Sequence, residues 1–99
     1  MSMEVKIVSK RYNPLIGRTE VDFEVHSDET PRRFEVRKEL ASMLDVELDR
    51  VYVVRMLTKT GLRLTVGRAH VYDSAERAAF IEPEHIKRRN SPEAEGGGE

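Results

Sequence analysis

Three histidines stand at positions 26, 70 and 85, in three separate segments of the chain. No His-Glu-x-x-His motif occurs, and no glycine-rich phosphate loop follows a strand. His70 and Asp73 are close enough in sequence to suggest a pair of metal ligands, but a surface histidine beside a helix cap explains them more simply. Cysteine is absent, which removes thiolate zinc sites and disulfides. No serine is accompanied by a base and an orienting group, so no converging catalytic constellation is visible. The residues therefore predict a binding protein, with no enzymatic activity, no metal and no cofactor.

The chemistry that remains is cationic. Arginine outnumbers lysine 12 to 5, and the planar guanidinium fork suits phosphate oxygens better than an ammonium does. Surface solubility accounts for scattered arginine equally well, and four groups are candidates for contact with an anionic partner. Lys10, Arg11, Asn13 and Arg18 surround an Asn-Pro turn. Arg32, Arg33 and Arg37 crowd the first half of a helix, where the macrodipole does not favour cations; solvation of the outer face is one reading and an anionic partner the other. Lys59 and Arg63 flank a hairpin tip, and Lys87, Arg88 and Arg89 close the last helix. Contact mainly with phosphate is expected, with shape rather than base edges selecting the site.

The elements that must carry these residues can be read in order. Residues 4–12 form a strand with Val5 and Ile7 on one parity and Lys6, Lys10 and Tyr12 on the other. Asn13-Pro14 ends it. Leu15 and Ile16 come next in a loop, where both are expected to fold back as a core plug rather than to dock on a partner. Residues 19–26 alternate cleanly, with Val21, Phe23 and Val25 inward and Glu20, Asp22, Glu24 and His26 outward. That acidic outer face argues against phosphate there. Thr30 is expected to cap a helix with Pro31 at its first position. The helix runs to about Leu44, with a stripe of Val36, Leu40, Met43 and Leu44, and Ala41 and Phe34 towards its edge.

After an acidic connection, residues 51–59 form a third strand that is apolar on both parities, so both its faces are expected to be partly covered. Thr60-Gly61 turns into a fourth strand, which passes directly into a helix. Asp73 is expected as the N-cap, with Glu76 three residues on. Small residues at Gly67 and Ala69 permit close approach. A packed helix is the preferred neighbour, a nucleic-acid backbone the other. Glu82-Pro83 breaks the chain before a short helix that stops near Asn90, a residue tolerant of a left-handed cap. The result is one α+β domain over residues 1–90, a four-stranded antiparallel sheet with packed helices in the order β-β-α-β-β-α-α.

Ninety-nine residues suffice for one modest core. The formal net charge is −1, but residues 91–99 hold three glutamates and no base, and without them 17 basic residues face 15 acidic ones. That Gly- and Glu-rich tail is expected to be disordered. No apolar run is long enough to cross a membrane, and the first ten residues contain no signal-like apolar region. A cytoplasmic protein, monomeric when isolated, is expected. RNA-recognition domains of the RNP type fit poorly, because their aromatic-rich strand motif is missing and the order here begins with a hairpin.

Three segments resemble the small-subunit ribosomal protein S-twenty-four-e family of archaea and eukaryotes. RYNPLIGRTEVDFEV, residues 11–25, is similar to that family's Asn-Pro-Leu hairpin. TPRRFEVRKELASMLDVE, residues 30–47, is similar to its Thr-Pro helix. GRAHVYDSAERAAFIEPEHIKRRN, residues 67–90, carries a similar Tyr-Asp-Ser junction and Glu-Pro break. The resemblance implies an antiparallel sheet with helices. It also implies a structural role in the small ribosomal subunit, with ribosomal RNA and neighbouring ribosomal proteins as partners and neither catalysis nor cofactor. Family members are commonly basic and this chain is not, which favours a local patch over a broad footprint. The alternative function is a protein-interaction adaptor on a β-grasp-like sheet, without RNA binding.

Overall fold

The computed structural model of the chain describes residues 3–59 and 61–90, so the expected acidic tail at 91–99 lies outside the described residues. The elements are β1 (Met3–Asn13), β2 (Arg18–Ser27), α1 (Arg33–Leu44), a 3-10 turn (Leu48–Arg50), β3 (Val51–Lys59), β4 (Leu64–Tyr72), α2 (Ala75–Ile81) and α3 (Glu84–Arg89). The four strands form one antiparallel sheet in the order β1-β2-β4-β3. This is the α+β architecture that the periodicities imply.

One sheet face carries the main core. Val21, Phe23 and Val25 of β2 are all but inaccessible, as are Val51, Val53 and Ala69, and α1 covers them with Val36, Leu40 and Ala41. The helix is rotated from the expected stripe: Ala41 is buried, while Met43 is exposed. Phe23 lies opposite Gly67 in the β2–β4 register. A Cβ on Gly67 would stand 2.6 Å from the Phe23 ring and 2.4 Å from the Arg55 carbonyl oxygen. The close approach at Gly67 is therefore made by an aromatic ring and a neighbouring strand rather than by a helix.

Among the described residues, the other face is covered only at one end. There α2 and α3 enclose a second cluster of Tyr52, Tyr72 and Ala78, joined by Ile16, Ile81 and Ile86. The expected plug is thus half right, since Ile16 packs inward while Leu15 is 93 % exposed. Both edge strands carry an irregularity, between Ile7 and Ser9 in β1 and between Val53 and Arg55 in β3. Each extra residue reverses the facing of the remainder of its strand. Lys10 and Tyr12 consequently share a face with Val5 and Ile7, against the expected parity.

The caps differ from expectation by a residue or two. α1 starts at Arg33 with Arg32 at the N-cap position and no side-chain cap, while Pro31 is buried in the approach. At α2 the cap is Ser74, whose Oγ accepts from the Arg77 amide. Asp73 instead accepts a hydrogen bond from the Tyr12 hydroxyl at 2.7 Å. Asn90 ends α3 with φ −89°, not in the left-handed region.

Candidate nucleic-acid interface

The basic candidates do not converge on one spot. Antiparallel pairing puts the β1–β2 turn, with Lys10, Arg11, Asn13 and Arg18, at one end of the sheet. The β3–β4 turn, with Lys59 and Arg63, lies at the opposite end. Thr30, just before α1, shares a shallow depression there with Lys59 and Arg63. This brings the α1 start, with Arg32 and Arg33, towards the Lys59–Arg63 end. Lys87, Arg88 and Arg89 lie on α3, whose end is anchored to the edge of β3 through Asn90.

Several candidates are structural. Arg37 is buried and lies over the Tyr52 ring, 4.6 Å from its centroid. Its Nε donates to Val51 O at 2.6 Å, Nη1 to Asn90 O at 3.1 Å and Nη2 to Leu48 O at 3.0 Å. Burial pulls its pKa below the usual guanidinium value. Five rigid donors let one side chain tie α1 to the 3-10 turn, β3 and the end of α3. Arg37 is thus not a surface cation, and its place early in α1 is explained by packing.

Arg18 is likewise committed. It donates from Nε and Nη2 to Glu20 Oε2, at 3.3 and 3.0 Å, and from Nη1 to the Tyr72 hydroxyl at 3.0 Å. That hydroxyl donates to Glu82 Oε2 at 2.6 Å, and His70 Nδ1 meets the same oxygen at 2.7 Å. Burial and the Glu82 contact push the Tyr72 hydroxyl up to about 12. Burial also pushes Glu82 up, but its bonds from His70 and Tyr72 and the nearby positive charge outweigh that and hold its carboxyl below the usual range. Asn13 shapes the turn, its Oδ1 accepting from the Leu15 amide at 3.1 Å and its carbonyl from Gly17 at 2.8 Å. Lys87 spends its ammonium on Ala79 O at 2.9 Å and Glu84 at 3.4 Å.

Lys10, Arg11, Arg32, Lys59, Arg63, Arg88 and Arg89 are exposed or partly so, and Arg33 is half-buried. Arg11 and Arg63 each pair with one carboxylate, Glu20 at 3.4 Å and Asp28 at 3.0 Å. Such exposed pairs are weak and open to exchange for phosphate. Among the described residues there is no cluster of three or more His, Asp or Glu side chains able to hold a metal ion, and no helix long and apolar enough to cross a membrane.

Comparison with known proteins decides which class of binding protein this is. The family model of ribosomal protein S24e matches residues 3–91. Proteins named small ribosomal subunit protein eS24 are similar along most of their lengths. The relative from Halobacterium salinarum is 47 % identical over 89 residues, 89 % of this chain and 87 % of its own. That from Methanopyrus kandleri is 46 % identical, covering 89 % and 78 %, and that from Methanosarcina mazei 37 % identical, covering 98 % of both chains. The chain belongs to the ribosomal protein S24e family.

Membership places it among ribosomal proteins rather than enzymes, and it agrees with the resemblance carried by the hairpin, the Thr-Pro segment and the Tyr-Asp-Ser junction. In this S24e-family chain two carboxylates of the acidic outer face of β2 are also paired with arginines. Hydrogen bonding to Arg18 holds Glu20 below the usual carboxylate range. Arg68, whose Nε donates to Asp22 at 2.9 Å, does the same for that carboxyl. Sequence reasoning missed Arg68 and Arg55 as members of this face. Strict alternation puts Arg55 with Val51 and Val53, and only the β3 irregularity turns it outward, opposite Arg68. Sequence reasoning takes Asn90 only as a helix stop, although it is fully buried. An apolar-free Arg-Arg-Asn end to a helix carries no sign in sequence that its last residue enters the core.

Proposed function

We propose that this chain is a structural constituent of the small ribosomal subunit that binds ribosomal RNA in the cytoplasm and supports translation. The observation that carries the reading is the family match over residues 3–91. The RNA contacts we assign are the accessible cations: Arg32 with Arg33 at the start of α1, Lys10 and Arg11 beside the β1–β2 turn, Lys59 and Arg63 at the far tip, and Arg88 and Arg89 on α3. They act on phosphate, so affinity falls with salt through counterion release. The separation of these groups suits a small protein touching RNA at several points. Leu15 and Phe80, 93 % and 90 % exposed, are assigned to neighbouring ribosomal proteins, since both present apolar area that would gain from burial. The free protein is a monomer. Sedimentation through a sucrose gradient tests the core of the reading. The tagged chain should travel with the small subunit and be released by high salt. A chain that stays in the slow fractions at every salt concentration would support the adaptor alternative instead.

A further inference from the structure

Among the described residues, no helix lies over half of the second sheet face. α2 and α3 cover Tyr52 and Tyr72 at one end, and the rest presents Arg55, Leu57, Val66 and Arg68 around a shallow depression that also touches Asp22 and Gly67. Arg55 and Arg68 are directly opposed in the β3–β4 register, and both are exposed. Like charges directly across an antiparallel pair are destabilising. Asp22 answers one of the two guanidiniums, at 2.9 Å from Arg68. Among the described residues Arg55 has no ion-pair partner. Of the β2 carboxylates on this face, Glu20 is paired with Arg18 and Arg11 and Asp22 with Arg68, while Glu24, opposite Val66, lies 3.4 Å from His26.

We propose that this bare half of the sheet is a further phosphate-binding surface, with Arg55 and Arg68 gripping the backbone of ribosomal RNA while Leu57 and Val66 pack against its sugars. It rests on the ribosomal reading above and adds a contact that none of the turn and helix cations supplies. Two adjacent guanidiniums, with Asp22 on the β2 side of Arg68 and away from Arg55, are complementary to a phosphodiester chain, whose successive charges offer each a bidentate acceptor. The extra residue in β3 has a functional consequence here, because without it Arg55 would point into the core.

The test uses the full chain and a small-subunit ribosomal RNA fragment. Affinity is titrated against salt for the wild type and for Arg55→Gln, and the thermal midpoint of each free protein is recorded. Removing one phosphate contact should lower the log–log salt slope by about 0.7–0.9 and weaken binding about five- to eightfold at roughly 0.1 M salt. The free variant should melt no lower than the wild type, because a like-charge contact has been relieved. A merely structural arginine would give the opposite pair of results. If the wild type binds and Arg55→Gln matches it in slope and affinity, this surface is not an RNA contact, while the ribosomal reading stands. If the wild type fails to bind the fragment at any salt concentration, both readings fall.

Discussion

The side-chain amide of Asn90 hydrogen-bonds both backbone groups of Val53. The Val53 N–H donates to Asn90 Oδ1 at 2.7 Å, and Asn90 Nδ2 donates to the Val53 carbonyl at 2.9 Å. Val53 lies on an edge strand, just before the irregularity in its pairing with β4. One amide thus acts as a single residue of a fifth strand and blunts an edge that would otherwise offer its backbone to another chain. A buried group left unmet costs about 1–3 kcal/mol, so Asn90→Ala should lose roughly 2–4 kcal/mol of stability. The midpoint of urea unfolding reads this, and an unshifted midpoint would show that water replaces the amide.

Arg37 should separate folding from binding. Arg37→Lys keeps the charge but not the fork that reaches three carbonyls, and a loss of about 2–4 kcal/mol is expected. Arg32→Ala, on the surface, should stay within about 0.5 kcal/mol. Equal denaturation curves for the two variants would contradict the buried position of Arg37.

Phe23 and Gly67 form a matched pair across β2 and β4. Phe23→Ala should cost about 3–5 kcal/mol. Gly67→Ala should cost about 1–3 kcal/mol, by forcing the ring and the Arg55 carbonyl apart. The double variant should not recover the Gly67→Ala loss, because the carbonyl at 2.4 Å is backbone and remains. Full recovery in the double variant would place the whole conflict in the ring.

The ionised network sets the pH profile. Glu20, Asp22 and Glu82 have folded pKa values below their ordinary 4.5, 3.8 and 4.5. Their contribution is present above those ordinary values and is lost as the pH falls through the depressed ones. Tyr72 is raised from 10.0 to about 12, so its contribution is complete below pH 10 and disappears as the pH climbs towards 12. Unfolding midpoints should therefore be flat near neutrality and fall at both extremes. Tyr72→Phe should remove the alkaline loss attributable to this hydroxyl, and an unchanged alkaline limb would assign that loss to other groups.

Replacing Arg32 and Arg33 together by Ala should weaken binding to a small-subunit ribosomal RNA fragment. The log–log salt slope should flatten by roughly 0.7–1 for each phosphate no longer neutralised, with the circular dichroism spectrum unchanged. An unaltered slope would remove the start of α1 from the interface.

The alternation in Val21, Phe23 and Val25, the turn residues around Pro14 and Gly61, and the helical spacing of Val36 and Leu40 were sufficient by themselves to define the sheet, the order of elements and the main core. Such patterns are local, and burial of one face comes directly from the side-chain period. The three family segments were equally legible, because each is a contiguous run. The tertiary structure decided which cations are committed to the fold. Arg37 and Arg18 look like Arg32 in sequence, yet carbonyls and hydroxyls from distant elements enclose them. It also decided which way Arg55 and Lys10 face, since one extra residue in an edge strand inverts the remainder of that strand and leaves no mark in composition. Asn90 shows the same limit. A polar residue is buried at little cost only when its partners are already in place, and the backbone groups of Val53 come from 37 residues away.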